Sequence, residues 1–277
     1  KLVDSWAYKY EDYPSAATFS HNNGNVEKEF YEEGLYVGYR YFDTFGIPVR
    51  YGFGYGLSYT TFEIQNASVK KEQTNLLKVS MSVKNTGAVA GKEVVQAYAS
   101  LPGGSMEKEA HRLIAYAKTE LLQPGEAQSI TLEIPAECLI SYDEKKAAWV
   151  LEKGFYGIFL GNSLESANLT FGLQLDQDAV LEKVKNLFPL KDALKELEQP
   201  AGATCKREAV QAALARSKQL PVLELKAAEF KTKEIVYRKN SELAAPEAME
   251  FVNTLSVEEL INLAAGDPGK AQGGNLG

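Results

Sequence analysis

Cysteine and histidine are both scarce in this sequence, at two residues each in 277. Cys138 and Cys205 lie far apart in unlike contexts, which argues against a disulfide framework, and no CxxC or Cys/His spacing points to zinc. Cys138, within IPAECLISY, reads as a small buried apolar residue rather than a nucleophile. His21 sits in a polar SHNNGN loop without a metal-ligand partner, and His111 precedes strand-like sequence, so neither takes a catalytic role. Long apolar runs are missing too: nothing approaches the roughly 18–20 residues needed to cross a bilayer. Positive charge is not in excess. Asp and Glu number 37 against 30 Lys and Arg, and the resulting net charge of -7 opposes a general nucleic-acid or anionic-membrane partner. No Lys/Arg cluster interleaved with aromatics offsets that balance. Sparse cysteine leans toward a cytoplasmic location.

The two ends lack what a self-contained domain would show. KLVDSWAYKYEDYP has no initiating Met and no basic region followed by a long apolar one, so it is not a signal peptide. GDPGKAQGGNLG closes the chain in a glycine-rich run, without the GxxxxGK spacing or preceding strand of a nucleotide loop. Both ends read as cut from something longer.

What is present changes character along the chain. Residues 1–62 hold 10 of the 15 tyrosines but few aliphatic runs. Tyrosine covers large areas while keeping a polar handle, which suits a segment wrapped over other domains or lining a wet cleft. Within it, GFGYGLSYTTF alternates glycine with aromatics, where glycine supplies positive φ or allows close backbone approach. From residue 62 to about 175 the period becomes two. Leu77, Val79, Met81 and Val83 alternate with polar residues up to an NTG turn. Ile130, Leu132 and Ile134 alternate after a PGE turn, and Leu169, Phe171, Leu173 and Leu175 close the series. Six or seven short strands with no helical pattern between them predict an antiparallel sandwich, so the fold class is mainly β. Beyond Asp176 the spacing turns helical. Val180, Val184, Leu187, Leu190, Leu194 and Leu197 predict one helix before Pro200, and CKREAVQAALARSKQL at 205–220 predicts a second. A third follows Pro246, with Met249, Val252 and Leu255. A fourth follows Ser256, which stands three before Glu259 in a capping-box arrangement and ends at Gly266.

The stretch from Phe30 through Phe62, which reads YEEGLYVGYRYFDTFGIPVRYGFGYGLSYTTF after Phe30, resembles the junction before the fibronectin type III-like domain in glycoside hydrolase family 3, the family of β-glucosidases and β-xylosidases. VSMSVKNTG, GKEVVQAYAS and HRLIAYAKTELLQPGEAQSITLEIP continue the likeness. KLVDSWAYKYEDYP resembles the close of that family's α/β sandwich domain. PEAMEFVNTLSVEELINLAAGDPG resembles the opening of its TIM barrel. The order resembles a permuted subgroup. It implies 1–61 as the end of the α/β domain plus a Tyr-rich connecting segment, and 62–176 as a fibronectin type III-like (immunoglobulin-like) sandwich. It further implies 177–245 as a helical linker and 246–277 as the start of the barrel.

The resemblance implies a retaining β-glucosidase as the parent protein, with an Asp nucleophile on the barrel and a Glu acid/base from the α/β domain, about 5–5.5 Å apart. The nucleophile's SDW-type motif is absent, and Asp4 in VDSW has the wrong context. No catalytic, cofactor-binding or metal-ligating residue is therefore assigned in this chain, and no cofactor is implied. The partners implied are a β-glucoside or oligosaccharide, met through the parent enzyme, and the α/β and barrel domains, with no nucleic acid and no membrane. Glu32, Glu33 and Asp43 are the carboxylates available to face a sugar hydroxyl or to hold Arg40, and pinning the loop through Arg40 is preferred. Trp6 and Tyr36 through Tyr41 can stack on pyranose rings, though aromatics in such segments more often pack domains together. A β-xylosidase, an N-acetyl-glucosaminidase and a non-catalytic carbohydrate-binding or structural module remain as alternatives.

Overall fold

The computed structural model describes residues 1–187, 194–237 and 245–265. They fall into two compact units, Lys1–Glu234 and Ile235–Gly277. The first begins with a short strand β1 (Trp6–Ala7), a helix α1 (Tyr39–Phe45) and β2 (Val49–Tyr51), which pairs with β1. Gly46 stops α1: it takes the left-handed conformation at φ 66°, and Phe42 O accepts from both Gly46 N and Ile47 N.

Seven strands form the sandwich, as the alternation predicts. One sheet holds β3 (Phe62–Gln73), β4 (Leu76–Asn85) and β7 (Ala127–Pro135) in the order β3-β4-β7. The other holds β5 (Val94–Ser100), β6 (Arg112–Lys118), β10 (Gly154–Gly161) and β11 (Asn168–Leu175), ordered β11-β10-β5-β6, with every neighbouring pair antiparallel. Leu77, Val79, Met81 and Val83 of β4 and Ile130, Leu132 and Ile134 of β7 point into the core that they share with Val95, Ala97, Ile158, Phe171 and Leu173. Their polar alternates face water, the half-buried pattern that sets register. In β3 the inward set changes parity from Phe62 and Ile64 to Ala67 and Val69. A bulge at Asn66, with φ 52°, supplies the extra residue.

β5 breaks the alternation because both its faces are covered. Tyr98 points outward and is fully buried under the rings of Tyr39 and Phe53, with centroids 6.4 and 6.5 Å away. The Tyr-rich segment is thus a layer laid over this sheet. Gly54, at φ 82°, makes its approach possible: a Cβ there would stand 2.8 Å from Ser163 Cα and from Gln96 Oε1.

The chain after Asp176 departs from the helical expectation. Residues Ala179–Lys183 form β12, which joins β9 (Ala148–Leu151) and β8 (Ser141–Asp143) in a small separate sheet. Ala179 and Leu181 are buried and alternate as a strand, whereas Val180 and Val184, the residues at helical spacing, are only partly buried. A short apolar run fits either period, and the open edge of β9 decides it. Residues 194–200 carry no regular structure, and Leu190 lies outside the described residues. The second predicted helix is present as α2 (Ala203–Ser217). After Pro221, β13 (Val222–Leu225) adds itself parallel to β11, and β14 (Lys233–Glu234) pairs with β12. Neither strand is legible in the spacing, and up to Glu234 the described residues of this region combine the helix α2 with strands that extend two sheets.

In the second unit, α3 (Pro246–Thr254) opens with Pro at its first position, and α4 (Val257–Ala265) opens with the predicted capping box. Glu259 N donates to Ser256 Oγ at 3.2 Å, and Glu259 Oε2 accepts from Ser256 N at 2.8 Å. The helix end expected at Gly266 and the GDPGKAQGGNLG tail lie outside the described residues.

Candidate functional site

The loop between β5 and β6, residues 101–111, is where the layers of the first unit are tied together. Four groups of the Tyr-rich segment reach it or the first residues of β6. Leu113 N donates to Tyr39 Oη at 2.9 Å, and Ala110 N donates to Thr44 Oγ1 at 2.9 Å. His111 Nδ1 meets Asp43 Oδ2 at 2.9 Å, with the imidazole edge against Phe159. Arg40 Nε lies 3.8 Å from Glu109 Oε1. Arg40 therefore does pin the connecting segment, but its carboxylate is Glu109. Asp43 holds a histidine instead, and Glu32 enters through its backbone carbonyl, which accepts from Leu197 N at 2.8 Å.

Glu109 is almost wholly buried and depends on Arg112, whose Nε and Nη2 donate to its two oxygens at 2.6 and 3.1 Å. Burial raises the Glu109 carboxyl, but the bidentate Arg112 fork outweighs it and holds the group below the usual carboxylate range. The rest of the Arg112 guanidinium is spent on Ile140 O at 2.5 Å, with Cys138 O and Ser141 Oγ at 3.5 Å. Beside it, Lys108 and Glu152 form an ion pair at 1 and 5% side-chain exposure. Glu152 also accepts from Ser105 N at 2.8 Å, and Lys108 donates to Met106 O at 3.0 Å, so neither charge is stranded.

The chain after the sandwich grips the same loop from the other side. Gln199 donates to Tyr36 Oη at 2.6 Å and to Lys108 O, and burial pushes the Tyr36 phenol up to about 12. Arg207 Nη2 donates to Glu109 O at 3.2 Å. Glu208 of α2 accepts from Gly103 N at 2.7 Å and Phe155 N at 2.8 Å, bridging loop and β10. These contacts join residues up to 163 positions apart. No local motif marks Lys108, Glu152, Gln199 or Glu208, so sequence reasoning had no signal for them.

Alongside the loop runs an open cleft of about 870 Å³. Arg40 and Glu109 line one part, Glu137 and Cys138 another, and Tyr142 and Trp149 of the β8–β9 hairpin a third. Cys138 is half-buried, and burial followed by the nearby Glu137 charge pushes its thiol up, which fits the apolar reading and not a nucleophile. Tyr36 is fully buried against Phe45, a packing role, whereas Trp6 is exposed beside Tyr51. His21 is exposed, with Nδ1 2.7 Å from Asn25 O. Among the described residues no group of three His, Cys, Asp or Glu side chains is placed to hold a metal ion. No helix among them is long and apolar enough to cross a membrane.

Three comparisons with known proteins agree with this geometry. The fibronectin type III-like domain model matches residues 93–164, which run from the start of β5 past β10. β-Glucosidase A of Butyrivibrio fibrisolvens is 43% identical over 210 residues, covering 67% of this chain and 25% of its own length. An exo-α-(1→6)-L-arabinopyranosidase of Bifidobacterium breve is 35% identical over 178 residues, covering 64% of this chain and 23% of its own. The solved β-glucosidase 3B of Thermotoga neapolitana, in complex with α-D-glucose, superposes with a TM-score of 0.60 at 39% identity, over 64% of this chain and 24% of that one. The chain spans about a quarter of the length of the relatives it matches.

Proposed function

We propose that this chain, a stretch of a family 3 glycoside hydrolase carrying its fibronectin type III-like domain, belongs to a retaining β-glucosidase that removes terminal non-reducing β-D-glucosyl residues. Its own part in that enzyme is mechanical. Likeness to β-glucosidases over about two thirds of the chain, at 43% identity in one relative and 39% in a solved structure, supports the activity. The loop at 101–111, gripped from both sides, supports the role.

The proposed order places the end of an α/β domain and the connecting segment at 1–61 and the sandwich at 62–176. A linker follows at 177–245 and the opening of a barrel at 246–277. Nucleophile and acid/base both belong to other parts of the polypeptide, so no catalytic residue is proposed within this chain. Two carboxyls carried by different domains must hold a separation of about 5–5.5 Å across the sugar. A displacement near 1 Å costs on the order of 100-fold in rate. A sandwich that fastens the connecting segment through Tyr39, Asp43 and Arg40, and the downstream chain through Gln199 and Glu208, limits such displacement.

The test is a panel of nitrophenyl glycosides, including β-D-xyloside and α-L-arabinopyranoside, offered to the whole polypeptide and to the 277-residue chain. The whole polypeptide is expected to turn over the β-D-glucoside fastest and the 277-residue chain to turn over none. Hydrolysis by the shorter chain would sink the mechanical role. Preference for xyloside or arabinopyranoside would reassign the sugar.

A further inference from the structure

We propose that the cleft beside the 101–111 loop binds a sugar unit of an oligosaccharide, with Trp149 and Tyr142 as its aromatic floor and wall. The polar groups around it are in two states. Arg112, Glu109 and Asp143 are spent on the fold: Arg112 on Glu109 and Ile140, and Asp143 on the backbone N–H groups of Lys145 and Lys146. Others have no hydrogen-bond partner among the described residues, namely the Tyr142 hydroxyl, the Trp149 indole N–H and the terminal nitrogens of Arg40. These groups sit on solvent-accessible side chains, where water satisfies them and the hydroxyls of a ligand can take its place.

The two rings face each other across the β8–β9 pair, directly opposite in register, with centroids 5.4 Å apart and planes at 51°. The indole is 37% exposed, and both rings line the cleft. Rings at that angle make a corner, one face free to lie against the apolar C–H face of a pyranose while hydroxyls reach the edge donors.

Charge narrows the ligand class. The lining holds Arg40, Arg112 and Lys145 against Glu107, Glu109, Glu137, Asp143, Glu144 and Glu196, an acid excess that disfavours phosphates and acidic peptides. A neutral polyhydroxylated ring meets acceptors, donors and an aromatic face without a charge penalty. The volume, about 870 Å³, lies within the usual ~300–1,000 Å³ for small-ligand sites. That the sugar is part of a gluco-oligosaccharide rests on the glycosidase reading above; the stacking chemistry does not.

The chain has only two tryptophans, so a proton–nitrogen spectrum carries two indole signals, and binding can be read with no catalysis at all. Cellotetraose titrated into the 277-residue chain should shift the Trp149 indole signal saturably at millimolar concentration and leave that of Trp6 in place. Tyr142→Phe, which keeps the ring, should weaken binding by about threefold. Trp149→Ala removes the reporting indole, so its affinity is read by titration calorimetry against the parent; it should weaken binding at least tenfold, with the Trp6 signal reporting that the fold survives. Absence of any shift, a shift confined to Trp6, or unchanged affinity in both variants would overturn the proposal. Because the readout is binding, it can fail while hydrolysis by the whole polypeptide succeeds, and the reverse.

Discussion

Glu109 shows how single residues carry the connection between layers. Its carboxylate is buried, held by the Arg112 fork, and approached by Arg40 from the Tyr-rich segment. A depressed folded-state pKa means that the carboxylate contributes stability above its unfolded value, near 4.3, and that this contribution is lost as pH falls through the folded value. Urea midpoints should therefore drop on acidification from pH 5 to pH 3. Glu109→Gln should lower stability by about 3 kcal/mol at neutral pH, because Arg112 loses its buried counter-charge. The same variant should flatten the acid limb of the profile. A variant limb as steep as the parent's would show that other carboxylates govern it. The sequence places Arg40 in a segment that needs pinning, yet it offers Glu32, Glu33 and Asp43 as nearer partners. Only the fold brings position 109 beside position 40.

Among the elements, α2 and β13 have the least expected role. The Ala-rich pattern of α2 is plain in the sequence, but which side it presents depends on Glu208, which satisfies two backbone donors on different segments. Glu208→Ala leaves Gly103 N and Phe155 N without their acceptor in a partly buried position, and should cost roughly 2–4 kcal/mol. Thermal melting of the variant against the parent measures it; a change under about 0.5 kcal/mol would mean that water replaces the carboxylate. β13 is harder to foresee, because VLEL after a proline is too short for periodicity to separate strand from coil. It becomes a strand because β11 presents an unpaired edge, the template that any short extended segment completes.

For the first unit as a whole, the sandwich is enclosed on the outside of its larger sheet by chain from both directions. The Tyr-rich segment covers Tyr98 of β5, and α2 and β13 reach β10 and β11. A chain ended after Leu187 should expose the β11 edge together with Leu173 and Leu175 at its flank. It should self-associate or melt lower than the full chain. Sedimentation velocity and a thermal melt test this together, and a monomer of unchanged stability would show that the chain beyond residue 187 adds nothing to the fold of the sandwich.

What the sequence determined by itself was the sandwich, because a period of two with one buried face is a local property that each strand states independently. The α4 capping box was legible for the same reason, since Ser256 and Glu259 are three residues apart. Tertiary structure alone decided where the charged pairs meet, which faces of β5 are covered, and that residues 179–183 and 222–225 extend sheets. Those outcomes depend on partners tens to more than a hundred positions away. Hydrogen-bonding edges and buried counter-charges exist only once the layers have closed, so no spacing within a segment can record them.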